Sequence, residues 1–261
     1  MTKKMRMDLN SDVGESFGAY KLGLDEEVIP HITSANIACG FHAGDPGVMR
    51  HTVALAKKFG VEVGAHPGFP DLMGFGRRNM DATLEEIQDY VVYQMGALQV
   101  FAHAQGLKLQ HVKPHGALYN MAAANPKMWD AIAEAVAKVD KEMILVALAS
   151  SNRDVLAEIG KRHGVRFAFE AFPDRAYKSD GSLASRREKG AVIQDHGVVA
   201  QRALKMAFEG KVIATDGTEI ELKADTLCVH GDNPAAVQMV KKIQESFKAS
   251  GVEVTPMKNF I

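Results

Sequence analysis

Only two cysteines, Cys39 and Cys228, and a single tryptophan occur in 261 residues. Two thiols cannot build a disulfide framework, so the fold has to rest on a buried core, and a reducing compartment is its natural setting. An excess of either charge is also missing: 31 Lys and Arg stand against 32 Asp and Glu, a formal net charge of -1. Without a basic footprint, nucleic acid and anionic membrane surfaces are not expected partners. No apolar run approaches the roughly 20 residues of a membrane span. The basic start, Met1 to Met7, runs into Asp8 and Asn10 with no apolar stretch behind it, so no secretory signal is expected and the cytoplasm is the expected location. A G-x-x-x-x-G-K-[ST] phosphate loop is lacking, which excludes that way of holding ATP, and so is a G-x-S-x-G nucleophile elbow.

What the chain does have is hydrophobic substance, 46% of residues, arranged as short apolar runs alternating with longer helical stretches. Strands are expected near Met5–Leu9 and over Ile32–Ile37, Val61–Ala65, Leu109–Val112, Met143–Leu148, Val165–Phe169 and Thr226–Val229. Asp45-Pro46, Asn125-Pro126 and Asn233-Pro234 each pair an N-cap residue with proline at the first helical position. Thr83 and Glu86 have the spacing of a capping box, and Gly60 and Gly251 close helices. Val212–Ala214 and Thr218–Leu222 flank Asp216-Gly217, the signal of a small antiparallel hairpin. Seven strand-helix units without a linker predict one α/β domain over residues 1–261, an irregular seven-stranded parallel β/α barrel carrying that hairpin as an insertion. A doubly wound open sheet is the alternative.

In a parallel barrel the C-terminal strand ends and the loops after them form the active site. Polar residues cluster at those places here. Asn10, Asp12 and Glu15 follow the first run, Asn36 and His42 the second, and His66 the third. Lys113 and His115 follow the fourth, Glu170, Asp174 and Arg175 the sixth, and His230 and Asp232 the last. A lone histidine after a strand is ordinarily a packing residue. Four of them, His42, His66, His115 and His230, after four different strands converge on one rim and read as functional. The other six histidines lack this placement and are read as surface or packing residues, and Cys39 as a small buried hydrophobe. A lysine at a strand end is costly to bury without an anion, so Lys113 is expected to hold a substrate carboxylate or a phosphate. Gly64 to Arg78 is a glycine-rich loop ending in Arg77 and Arg78, either an irregular lid or a phosphate clamp. Asp12 with His42 and His66 would also suit a metal, without the close spacing that marks metal motifs. Among the carboxylates Asp12, Glu15, Glu170, Asp174 and Asp232, a glycosidase pair is conceivable on residue type alone.

Taken together, Asp8 to Glu15, Ala35 to Pro46, Val63 to Gly68, Val112 to Tyr119, Phe172 to Tyr177 and Leu227 to Asp232 resemble the LamB/YcsF family. The likeness spans nearly the whole chain in order, with Phe172-Pro173 standing where Phe-Ala is more usual. The resemblance implies a glycoside hydrolase/deacetylase type of barrel. It further implies the A component of an ATP-dependent 5-oxoprolinase, in which 5-oxoproline, ATP and water give glutamate, ADP and phosphate. Subunits B and C are then expected partners and ATP a co-substrate. A divalent metal and a homo-oligomer are left open. On that reaction, Asp12, His42, His66, Lys113, His115 and His230 would be catalytic, with Asn10, Glu15, Asn36, Arg77, Arg78, Glu170, Asp174, Arg175 and Asp232 holding substrate or phosphate. A metal-dependent carbohydrate deacetylase or glycosidase, and a non-catalytic binding component, are the competing readings.

Overall fold

The computed structural model describes residues 5–149, 152–185, 187–230 and 234–261. Among these described residues, ten strands and eight α-helices alternate along the chain. They run β1 (Arg6–Val13), α1 (Asp25–Val28), β2 (Ser34–Ala38), α2 (Pro46–Phe59), β3 (Glu62–His66), α3 (Leu84–Ala104), β4 (Leu109–Val112), α4 (Gly116–Ala124), α5 (Pro126–Val139) and β5 (Ile144–Leu148). There follow α6 (Arg153–His163), β6 (Arg166–Ala171), α7 (His196–Glu209), β7 (Lys211–Ile213), β8 (Glu219–Glu221), β9 (Thr226–Cys228), α8 (Pro234–Ala249) and β10 (Glu253–Val254). Strands β1 to β6 and β9 pair in parallel in that order, and β9 pairs back onto β1 at Asp8–Asn10, which closes a seven-stranded barrel. Strand β10 extends the β1 edge at Arg6 and Met7. The expected hairpin is present as the antiparallel pair β7–β8.

Helix boundaries follow the local chemistry. Asp45 accepts a hydrogen bond from the Val48 amide and Asn125 one from the Lys127 amide, each just ahead of a proline at the helix start. Thr83 and Glu86 close a reciprocal capping box. Gly60 ends α2 in the left-handed conformation, φ 69°. Asn233 lies outside the described residues. Along α3 the residues Ile87, Val91, Met95, Leu98 and Ala102 are all buried against the barrel wall, each large one stabilising by about 1.5–3 kcal/mol.

The first strand is longer than its apolar run suggests. It continues through Val13, so Asn10 and Asp12 lie within the strand and not after it. The cause is its alternation. Met7, Leu9 and Val13 face outward into the apolar layer between barrel and helices, whereas Asp8, Asn10 and Asp12 bond to groups inside the barrel. That interior is half polar. A small apolar patch of Ile144, Val146, Ala168 and Met257 fills one side. Across from it runs a hydrogen-bonded column: Asp8 accepts from Ser34, Thr33 and Thr226, Thr226 accepts from Asn10, Gln110 donates to Ser34, and the His111 ring meets Asn36 at 2.7 Å. Burial pushes the Asp8 carboxyl up to about 6, against the lowering effect of those hydroxyls, and burial likewise takes His111 down to about 3.

Space in this column is exhausted at Gly64, where a Cβ would land on the His111 ring. Gly64→Ala is therefore expected to destabilise the protein by about 1–3 kcal/mol, the usual cost of overpacking, and to displace His111 from Asn36. Denaturant unfolding measures this; an unchanged midpoint would show that the column has slack.

Candidate active site

At the C-terminal mouth of the barrel the central feature is a buried cation. Lys113, 3% exposed, directs Nζ to Glu170 Oε1 at 2.8 Å, Asp12 Oδ1 at 3.0 Å, Asn10 Oδ1 at 3.3 Å and Cys228 Sγ at 3.3 Å. An ammonium has three N–H donors, and these neighbours occupy all of them. Burial works against the charge, but Asp12 and Glu170 outweigh it and raise the Lys113 ammonium well above its usual range. Glu170 is fully buried and also accepts from Tyr119 Oη at 3.1 Å. Asp12 is the partner that opens toward solvent, its side chain 21% exposed. Burial raises its pKa, yet His66 and Lys113 beside it outweigh this and hold it well below the usual carboxylate range. Asn36 completes the frame, donating from Nδ2 to both Asn10 and Asp12.

Beside this frame three histidines pack together. His66 Nε2 is 2.9 Å from His115 Nδ1 and 3.4 Å from Asp12 Oδ2, and Glu15 Oε1 is 3.7 Å from that His115 nitrogen. His42 stacks face to face on His115 with centroids 3.7 Å apart. Burial holds both His42 and His115 well below the usual imidazole range, with His66 adding to the effect on each. Glu15, His42, His66 and His115 bring ligand atoms within 4.8 Å of one another, a set that could hold a metal ion. The donors are not those expected for the metal: Glu15 and His115 join His42 and His66, while Asp12 is committed to Lys113.

The glycine-rich loop serves these histidines. Asp71 accepts from the Gly74 amide and pairs with Arg78, pinning the turn. Phe75 adopts φ 54°, a strained conformation for a side-chain-bearing residue. Its carbonyl thereby accepts from His115 Nε2 at 2.9 Å, and its ring meets the edges of His42 and His115. Gly76 has no room for a Cβ beside His42 and His115.

A cavity of about 650 Å³ opens above the frame, lined among others by Asp12, His66, Arg77, Lys113, His115, Tyr119, Phe172, Arg175 and His230. Five of the six residues expected to be catalytic therefore face one pocket, while His42 lies behind His115. His230 Nδ1 is 2.8 Å from Asp174 Oδ2, a second acid-base pair on the wall. Arg77 reaches the pocket over the Phe75 ring, 4.9 Å from its centroid. The expected substrate-holding residues divide. Asn10, Asn36 and Glu170 lie beneath the pocket floor and hold Lys113 and Asp12. Arg78 turns away to Asp71. Arg175 lines the cavity but donates to the carbonyls of Ala184 and Ala191, which ties down the loop over the site. Asp232 is outside the described residues. Tyr119, on α4, is not singled out by sequence reasoning, although it ends the Val112–Tyr119 motif; nor is Cys228.

A closed parallel barrel whose strand ends carry a carboxylate–lysine–histidine frame under a pocket is the architecture of a barrel enzyme. The LamB/YcsF family model matches residues 7–261, and the chain belongs to that family. It is 55% identical over 98% of its length to the whole of a Pyrococcus abyssi protein named as the A component of 5-oxoprolinase. A Bacillus subtilis protein of the same name is 55% identical, with 96% of each chain covered. The crystal structure of a lactam utilization protein from Thermus thermophilus superposes with a TM-score of 0.89 at 49% identity, covering 96% of this chain and 99% of that one. No helix among the described residues is long and apolar enough to cross a membrane.

Removing Lys113 leaves two carboxylates sharing a buried space. Lys113→Met is expected to cost about 3–5 kcal/mol, the penalty for breaking a buried pair. Lys113→Met/Glu170→Gln should recover a large part of that stability. Urea denaturation of both proteins checks this; equal stabilities would mean that Glu170 does not depend on the lysine's charge.

Proposed function

We propose that this chain is the A component of an ATP-dependent 5-oxoprolinase, hydrolysing the cyclic amide of 5-oxoproline to glutamate. The observation that carries the reading is full-length likeness to proteins of that name. The pocket supports it with chemistry suited to opening a lactam. Asp12, kept ionised by Lys113 and exposed on the pocket side, is placed to take a proton from water attacking the ring carbonyl. The C–N bond then breaks, and the leaving nitrogen needs a proton. His230 is the group for that step, an imidazole on the pocket wall oriented by Asp174 through Nδ1. Arg77 supplies a guanidinium for the substrate carboxylate. Lys113 acts by its field and by fixing Asp12, because its own donors are already engaged.

An unactivated amide is a poor electrophile; phosphorylation of its oxygen would activate the ring carbon, so that water attack and C–N cleavage give an acyl phosphate, which a second water hydrolyses to glutamate and phosphate. With no phosphate-loop motif in the sequence, we assign ATP binding and phosphoryl transfer to partner subunits, B and C of the complex. The one-domain chain would work in the cytoplasm, where ATP is at hand.

Mixed with purified subunits B and C, 5-oxoproline and ATP, the chain should stimulate glutamate release, measured by coupled glutamate dehydrogenase. Asp12→Asn and His230→Gln should each lower kcat by roughly 10²–10⁴-fold, the range for loss of a general acid or base. Glutamate release that is the same with and without this chain would end the proposal.

A further inference from the structure

We propose that Glu15, His66 and His115 form a binding site for a first-row divalent transition-metal ion, open to the pocket. The tautomers carry the argument. His66 Nδ1 lies 2.7 Å from the Lys113 carbonyl, and His115 Nε2 lies 2.9 Å from the Phe75 carbonyl. Carbonyls only accept, so both of these nitrogens bear the proton. Each neutral ring is then left with a lone pair on its other nitrogen, and those two nitrogens, His66 Nε2 and His115 Nδ1, face each other at 2.9 Å. Two lone pairs at that distance repel unless a cation lies between or beside them. Histidines that bind metals have this arrangement: the remote N–H is tied to a carbonyl or carboxylate, which fixes the ring and aims the lone pair.

Carboxylates flank the same point. Glu15 Oε1 is 3.7 Å from His115 Nδ1 and Asp12 Oδ2 is 3.4 Å from His66 Nε2. Two nitrogens 2.9 Å apart subtend about 90° at an ion roughly 2.1 Å from each, the angle of neighbouring ligands in an octahedral site. Mixed imidazole and carboxylate donors select borderline ions such as Zn²⁺, Fe²⁺, Co²⁺ or Ni²⁺ over Mg²⁺ or Ca²⁺.

A second observation is independent of the pair. His42 is fully buried, and neither of its ring nitrogens has a hydrogen-bond partner among the described residues. Its Nε2 lies 3.6 Å from Glu15 Oε1. Such a group is costly in a protein interior without something to bond to. Because its ring is stacked parallel to His115, it reaches the ion only after a turn about its side-chain bonds, and it otherwise backs the His115 ligand. His66, His115 and Asp12 border the cavity, so the ion would keep a coordination position toward substrate, as catalytic sites do. On the reading proposed above, that position would polarise the lactam carbonyl or bind the attacking water; the site itself does not depend on that reading.

The test uses tag-free full-length chain stripped with a chelator and titrated with Co²⁺, following visible d–d absorption, with Zn²⁺ competition by calorimetry. One equivalent should bind, and Zn²⁺ should displace it. Glu15→Gln and His115→Asn should each weaken binding by more than the roughly 10- to 100-fold that loss of a supporting partner costs. Circular dichroism of the stripped proteins controls for folding, and the isosteric Glu15→Gln keeps the test decisive if His115→Asn does not fold. Absence of Co²⁺ bands in the parent chain would overturn the site and leave a proton as the cation between the two rings; unchanged affinity in folded Glu15→Gln would overturn it by placing the ion on other ligands. No substrate enters this measurement, so its failure is separate from failure of the lactam reading.

Discussion

Everything at the mouth of this barrel depends on keeping one ammonium inside it. Lys113 is 3% exposed, and a lysine so placed survives only where carboxylates and dipoles replace its water. Glu170 supplies the deep counter-charge and Asp12 the shallow one. Meeting that demand governs its neighbours. Asn36 is held by His111 so that its amide can reach Asn10 and Asp12. His111 fits only because residue 64 is glycine. The polar column below the site is thus the support that fixes the cation, and the cation in turn keeps Asp12 ionised and oriented toward the pocket.

The same economy is seen in the loop from Pro67 to Arg78, after β3. Its glycines and arginines suggest a phosphate clamp, but most of that chemistry is spent on shaping the loop. Asp71 and Arg78 lock the turn, Phe75 accepts a strained backbone to present its carbonyl, and Gly76 makes room for two imidazoles. Of its two arginines only Arg77 is delivered to the pocket. The outcome is a rigid second support, which sets the His115 ring as the Lys113 carbonyl sets the His66 ring.

Much of this was legible in the chain. Seven strands, the proline-led helix starts, the capping box and the hairpin all lie where local chemistry points, and placing polar residues after strands located Asp12, His66, Lys113, His115 and His230 on one cavity. Local patterns fell short where the barrel interior is polar. An apolar-run criterion stops at Leu9 because Asn10 and Asp12 face the lumen, and it cannot tell that a strand continues beneath them. It also ranks His111 with ordinary packing histidines, since only tertiary pairing with Asn36 gives it a role. Arg78 and Arg175 read as anion ligands because sequence carries charge but not direction; Asp71 and two backbone carbonyls take them up. Tyr119 escaped notice because its partner, Glu170, lies 51 positions away.

The saturation of Lys113 bears on the proposed division of labour in an ATP-coupled reaction. A phosphate-binding lysine offers its N–H groups to the transferred group and moves with it. Here those groups go to Asp12, Asn10 and Cys228 while Glu170 pairs with the charge, and giving them to a phosphate would leave Glu170 buried beside a second anion. Charge repulsion therefore opposes phosphoryl transfer on this floor, whereas an uncharged amide carbonyl approaching Asp12 and the histidines meets no such barrier. A pocket built in this way leaves phosphoryl transfer to a partner and would receive an activated lactam with its phosphoryl group turned away from the Lys113 floor. That is consistent with a chain that lacks a nucleotide loop of its own and belongs to a family whose curated relatives are named as components of a larger enzyme.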